Sequence, residues 1–383
     1  MAALGLTGCA ALVSVALPAP ERGELAASVA SATLGAAIGS FSVDTFLLSR
    51  PTGWIFERGA WWMLAFLIGC LGLAAFAAAG LTALAGIGSY LVGIGAACAL
   101  TVFNAFSSLA LRVGRFLFVY ATRALGGAAL VLAYAGLYAA DRLDGVVWSV
   151  AWLSVQAFTG AVMSVTVLGL ALRFRAPRSA VATSQDLRTD LRAMGKLHIG
   201  VCAQMLTYRL DQILIARFAG SGPLGVYALA VAALEFAQAG AVVRAQRILV
   251  DRERGDDARP EPTGLIVRAA LPIALAAVAG LGVVGLIRSE YANGWLYGLL
   301  LLPGAMAVAA GKTWSALLLK QRGEQATTVV AVTVMCVAIA LYFLLIPVAG
   351  AFGAAVASSC AYVVYAIRTR HSLARTPVPL ARG

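Results

Sequence analysis

Residues 204–235 read QMLTYRLDQILIARFAGSGPLGVYALAVAALE, two apolar helices joined by a tight turn, Gly220-Ser221-Gly222-Pro223. Arg209 and Asp211 lie well inside the first hydrophobic stretch, and Glu235 lies in the second. An ionisable group at bilayer depth costs roughly 2.5–3.5 kcal/mol on insertion scales, so three of them around one hairpin need partners. Helical spacing sorts them. Gln204, Tyr208 and Asp211 fall at i, i+4 and i+7 on one face, while Met205, Arg209 and Gln212 form a neighbouring stripe. Arg209 and Asp211 are two apart and do not face each other. Each therefore looks to another helix, to water or to a ligand, and the polar stripe faces the bundle interior or a wet cavity. For Asp211 two readings stand: an interhelical structural pair, for instance with a cation from the other half of the chain, and a cavity role.

Working outward, the chain has 383 residues, of which 61% are hydrophobic and only 12% charged, with a mean hydropathy of +0.88. A soluble domain carries about 25% charged residues. The apolar residues come in runs of about 17–25, enough to cross a hydrocarbon core near 30 Å at 1.5 Å per residue. Strict alternation of the kind a β-barrel needs is missing. The fold class is an all-α polytopic membrane protein. Its twelve spans fall at about 2–18, 25–47, 60–80, 83–106, 117–139, 146–170, 197–219, 223–243, 265–287, 294–318, 326–347 and 350–367. The third and fourth are nearly continuous, so their turn is very short.

The net charge of +12 is distributed between spans, which argues against nucleic acid. With the N-terminus inside, inner segments hold 21 Lys and Arg and outer segments hold four: Arg22, Arg142, Arg217 and Arg288. That bias places both termini in the cytoplasm of a plasma (inner) membrane protein. Reading residues 1–18 as a signal peptide ending near Ala16-Leu17-Pro18-Ala19 lacks a basic leader and inverts the bias. The six cysteines lie in apolar spans without CxxC spacing, and His198 and His371 are isolated, so no disulfide framework, metal or other cofactor is expected.

The basic segment 172–196 divides the chain into a six-helix lobe, 1–171, and a second, 197–370, followed by a tail, 371–383. Ser184 caps either an interfacial helix leading into span seven or nothing, the segment then being a solvated linker. The stretch 244–264 mixes charges with Pro260 and Pro262 and reads as a flexible cytoplasmic connector. A short repeat links the halves: Gly23-Glu24-Leu25-Ala26-Ala27-Ser28-Val29-Ala30 parallels Gly225-Val226-Tyr227-Ala228-Leu229-Ala230-Val231-Ala232, each after a proline-containing turn. Six spans per half give the repeats the same orientation, with an axis along the membrane normal and a site between them. By that comparison span one is naturally short, or Met1 is an internal start.

Four more charges lie within spans. Arg268 snorkels to the inner surface. Asp44, late in span two, divides between an interfacial role and a cavity role, and Arg123 between snorkelling and the cavity. Lys312 is deep enough to point to a cavity. Cationic cavity groups suit a phosphate-bearing substrate, Arg as a bidentate fork and Lys as a point charge. Pro272 and Pro303-Gly304 kink spans nine and ten. Gly35 and Gly39 form a GxxxG whose default reading is close helix packing. With no Walker motif, no triad and no paired carboxylates, the chain is not read as an enzyme.

Arg209-Leu210-Asp211-Gln212, followed by Gly220, Gly225, Tyr227 and Ala230, resembles the seventh-span hairpin of polysaccharide flippases, in the multidrug/oligosaccharidyl-lipid/polysaccharide exporter superfamily. That pattern has an Asp in span seven, a Gly-containing turn, then Gly-x-Tyr-x-x-Ala opening span eight. Pro20-Glu21-Arg22-Gly23-Glu24 and Asp44-Thr45-Phe46 look similar in the first half, while the short N-terminus departs from the pattern. The resemblance implies two six-helix lobes in a V, alternating access, and a polyprenyl-diphosphate-linked oligosaccharide moved from inner to outer leaflet. Arg123, Arg209 and Lys312 are then candidate diphosphate contacts. Asp44, Asp211 and Glu235 are candidates for ion coupling or structural pairing. The implied partners are the lipid-linked oligosaccharide, membrane lipids and other polysaccharide-assembly proteins. Two competing readings are a drug/cation antiporter of the same superfamily, which favours acidic groups in the first lobe, and a non-transporting scaffold of envelope assembly, which tolerates loss of every intramembrane charge.

Overall fold

The computed structural model describes residues 13–44, 60–173, 187–250 and 263–374. Their regular structure is helical: α1 (Ala19–Gly39), α2 (Ala60–Ala85), α3 (Tyr90–Arg112), α4 (Phe116–Ala139), α5 (Gly145–Arg173), α6 (Leu187–Phe218), α7 (Ser221–Ala237), α8 (Ala239–Val250), α9 (Thr263–Ile287), α10 (Gly294–Arg322) and α11 (Glu324–Ala374). Short 3-10 turns precede α1 at Ser14–Ala16 and α10 at Ser289–Tyr291. Seven helices are long and apolar enough to cross a membrane, and α7 with α8 supplies an eighth if that pair, bent by 52°, is one span. Large apolar side chains such as Phe76, Leu117, Leu286 and Val348 point outward, the surface a lipid solvent accepts.

Two helices fall short of that apolarity, α1 and α6, and both are central. α1 packs on α2, α3 and α5 on one side and on α6 and α7 on the other. Polar side chains are tolerated there because protein, not lipid, surrounds them. Gly35 and Gly39 of α1 meet Ala78 and Ala74 of α2; an added Cβ at Gly39 would lie 2.3 Å from the Ala74 Cβ. The GxxxG thus packs helix on helix, as small-residue stripes do in membranes.

Most boundaries follow the sequence, and the departures have local causes. α1 starts six residues before the expected 25, because Pro18 and Pro20 occupy the N-cap and first turn, where a missing N–H costs nothing. It also ends early. Phe41 (φ 46°) and Ser42 (φ 54°) are left-handed, and the helix restarts only at Val43–Asp44. α2 and α3 are joined by the four residues 86–89, with Gly86 at φ 76°. α6 continues unbroken from 187, so the interfacial helix and span seven are one element; the Ser184 cap lies outside the described residues. The expected eighth span is broken at Gln238, and residues 244–250 of the expected connector are helical, the remainder to 262 lying outside the described residues. Of the first span, only its last residues, from Val13, are described. α11 carries both expected final spans, separated by a break at Gly350 (φ 55°, ψ −131°).

The repeat has a geometric counterpart. α1 crosses α7 so closely that a Cβ on Gly23 would lie 1.9 Å from the Ser221 carbonyl oxygen, and one on Gly225 would lie 2.0 Å from that of Ala19. Shifting by the same interval carries Ala19 to Ser221 and Gly23 to Gly225, the register the repeat assigns, so the two contacts are reciprocal. Such reciprocity is what a two-fold relation between like segments produces.

Candidate functional site

The hairpin's charges separate as the helical spacing requires. Arg209 lies nine residues before the end of α6, about 14 Å in at 1.5 Å per residue. Its Nη2 reaches Glu235 of α7 at 2.9 Å (Oε1) and 3.1 Å (Oε2). Lys312 lies ten residues before the end of α10, counted from the opposite end of the molecule; its Nζ donates to Gln238 Oε1 at 3.0 Å and stands 5.6 Å over the Tyr208 ring. Arg209, Glu235 and Lys312 lie within electrostatic reach of one another. Tyr208, Glu235, Gln238, Leu301, Lys312 and Tyr362 are among the residues lining a cleft of about 40 Å³. At about 10–15 Å³ per water position, that holds a few waters and no diphosphate. Arg209 is 19% exposed and Glu235 42%, so the pair sits at the edge of open space.

Asp211 points elsewhere. It is 1% exposed and accepts from the Tyr227 hydroxyl, from Ser358 Oγ at 2.9 Å and from the Gln212 N–H at 2.8 Å. Tyr342 extends the cluster, donating to the Thr207 carbonyl at 2.7 Å and lying 3.1 Å from Ser358 Oγ. These bonds tie α6, α7 and both segments of α11 together. The partners are interhelical, but they are hydroxyls from the same half of the chain and not a cation from the other half. A buried carboxylate is acceptable when several donors meet it. The Gly-x-Tyr of the motif is thereby explained: Gly225 makes the helix crossing, and Tyr227 binds Asp211.

The remaining candidates are not brought to this cleft. Arg123 of α4 lies 5.4 Å over the Phe103 ring of α3, within the first half. Asp44 follows the left-handed turn at the end of α1 and does not line the cleft. Sequence reading missed Gln238, Tyr208 and Tyr362 as the company of Lys312. It also took Arg22 and Arg288 for loop cations. Arg22 is 4% exposed; its Nε donates to Ser14 Oγ and its Nη1 to the Gly225 carbonyl, both at 3.0 Å. Arg288 Nη1 donates to the Ala16 carbonyl at 2.9 Å, Tyr291 to that of Leu17 at 2.8 Å, and the Ala19 N–H to Glu290 at 3.0 Å. A signal for Arg22 existed: it immediately precedes Gly23, the residue the repeat pairs with Gly225.

These bonds close one end of the molecule, the end bearing the 218–221 turn. At the other, basic end, the Phe41 ring lies 4.7 Å from that of His198, Ser42 Oγ lies 3.4 Å from His198 Nδ1, and Tyr120 of α4 donates to Gln246 of α8 at 3.0 Å. Pro303 removes its own backbone donor from α10, and the next N–H, that of Gly304, donates to Ser359 Oγ at 3.0 Å. The arrangement holds a partly neutralised charge cluster at mid-depth between two tied ends.

The fold is shared with a solved structure of the lipid II flippase MurJ in an inward closed conformation, at a TM-score of 0.63 and 12% identity, over 98% of this chain and 87% of that one. Identity that low establishes the fold and nothing more. A crystal structure of the eukaryotic MATE transporter AtDTX14 aligns over 97% of this chain and 85% of that one, at 14% identity and a TM-score of 0.41. No family model matches the sequence, and no curated protein matches it.

Proposed function

We propose that this chain is a membrane flippase of the alternating-access type, moving a polyprenyl-diphosphate-linked oligosaccharide from the inner to the outer leaflet. Arg209 and Lys312, about 14–15 Å from the ends of α6 and α10, with Glu235 of α7 paired to the first of them, in a fold shared with a lipid flippase, carry this reading. Charges so deep are expensive unless they serve a partner or a passage. The two cations are held by a carboxylate and an amide, weaker company than a dianionic diphosphate that each can bind by charge-assisted bonds. The lobes 1–171 and 197–370 rock about the α1–α7 crossing, with both termini in the cytoplasm and the segment 172–196 linking them. The small cleft and the tied ends fit a state without cargo.

Lys312→Ala is expected to lower surface glycan export about tenfold or more at unchanged protein level, from the ~1.5–3 kcal/mol of a charge-assisted hydrogen bond. Arg209→Ala should match it. Normal export from either variant, at normal expression, removes the cleft from the transport route. Orientation is tested separately. In a cysteine-free background, a membrane-impermeant thiol reagent added to intact cells should label Arg142→Cys and leave Arg322→Cys unlabelled; the reverse pattern inverts the topology.

A further inference from the structure

The bend between α7 and α8 has no proline to cause it: from Leu224 to Val250 the sequence holds none, and Gly240 merely loosens the junction. With no proline at the break, the side-chain contacts on either side of it contribute to holding the 52° bend. Glu235 and Gln238 occupy the last turn of α7 and the junction itself, three residues apart and so on one face. They are the residues that hold Arg209 of α6 and Lys312 of α10. Beyond the bend, α8 places Gln246 against Tyr120 of α4, in the other half of the chain.

We propose that Glu235 and Gln238 are internal stand-ins for an anionic cargo: a diphosphate entering the cleft takes Arg209 from Glu235 and Lys312 from Gln238, and so releases the α7–α8 bend. This rests on reading the cleft as a diphosphate site. Arg209 meets Glu235 through Nη2 alone, and a phosphate can engage the same nitrogen or the full guanidinium fork, so the exchange loses no hydrogen bond while Glu235 moves out toward the open side, where it is already the more exposed partner. Lys312 exchanges a neutral amide oxygen for a charged one, which sets the direction of the exchange. Released, α8 swings about Gln238 and carries Gln246 away from Tyr120, so occupancy of the cleft reaches the closure at the basic end. A single phosphate group, whatever its charge, engages only one of the two cations and leaves one staple in place. The device thus selects for two adjacent anionic groups.

The test uses purified full-length protein in lipid nanodiscs, with spin labels at Pro223→Cys and Arg247→Cys in a cysteine-free background, and inorganic pyrophosphate as the probe. Pyrophosphate should shift the distance distribution across the bend, and inorganic phosphate should not. Glu235→Gln should show part of that shift without ligand and bind pyrophosphate about three- to tenfold more tightly, because the internal competitor is weakened. Gln238→Ala should shift the distance in the same direction, which guards against one variant misfolding. Pyrophosphate binding that Lys312→Ala abolishes but that leaves the distance unmoved overturns the release while leaving the cleft reading intact. Failure of wild-type protein to bind pyrophosphate, with the bend still shifted in Glu235→Gln, overturns the anion site itself and the exchange with it.

Discussion

Gly225→Ala is expected to reduce export to background and to lower the melting temperature of the purified protein by about 3–10 °C, from an overpacking cost of about 1–3 kcal/mol. The added Cβ would lie 2.0 Å from the Ala19 carbonyl oxygen, where an ordinary carbon–oxygen contact needs about 3.3 Å. No rotamer change relieves this, since the obstacle is backbone. α1 and α7 must separate, and the bonds beside the crossing go with them: Arg22 to the Gly225 carbonyl, Ala19 N–H to Glu290, and Tyr291 to the Leu17 carbonyl. Gly23→Ala meets Ser221 in the reciprocal contact and should act alike. Because both strike one crossing, the double variant should be far less than additive. Thermal unfolding in nanodiscs alongside surface glycan export measures both effects. A Gly225→Ala protein with wild-type melting and export would show that α1 and α7 do not cross at this distance.

What the sequence revealed and what it hid divide along sequence separation. Arg209 and Asp211 diverge because a helix has 3.6 residues per turn, and that is readable from two positions on one helix. The Gly23–Gly225 register was readable because the two segments are alike. Arg209 with Glu235 spans 26 residues around a single turn, so the hairpin already brings them near. Lys312 to Gln238 spans 74 residues and Ser358 to Asp211 spans 147. Neither follows from any local pattern, because each depends on how whole helices pack. The bend at Gln238 was hidden for the same reason: it has no proline to announce it. The early start of α1 was hidden by a prior. Pro18 and Pro20 read as a turn, yet the first helical turn is where proline fits best. Charge counting misplaced Arg22 and Arg288 for a further reason, since a count of loop cations does not distinguish a solvated guanidinium from one bonded to carbonyls.

Replacing Asp211 tests whether the most conspicuous residue of the hairpin is part of the passage or part of the frame. Asp211→Ala removes the acceptor for two hydroxyls and leaves the buried Tyr227 and Ser358 to find other partners. Hydrogen bonds to a charged group are worth about 1.5–3 kcal/mol each, and an orphaned buried donor costs about 1–3 kcal/mol. The variant is therefore expected to lose most of its folded yield, a larger effect on stability than that of Lys312→Ala. Asp211→Asn keeps one acceptor oxygen at the same place and should recover part of that stability. The sharper measurement is a double-mutant cycle between Asp211→Asn and Tyr227→Phe, read as thermal stability in nanodiscs. A network whose members share Ser358 and Tyr342 should show a coupling of about 1–3 kcal/mol. A frame residue predicts that export per folded molecule stays near wild type in Asp211→Asn, because the cleft around Lys312 is lined by other side chains. If instead Asp211→Asn folds like wild type, shows no coupling to Tyr227→Phe and abolishes export, then the carboxylate charge itself is used in transport, and the hydroxyls around it position a coupling group instead of holding three helices together.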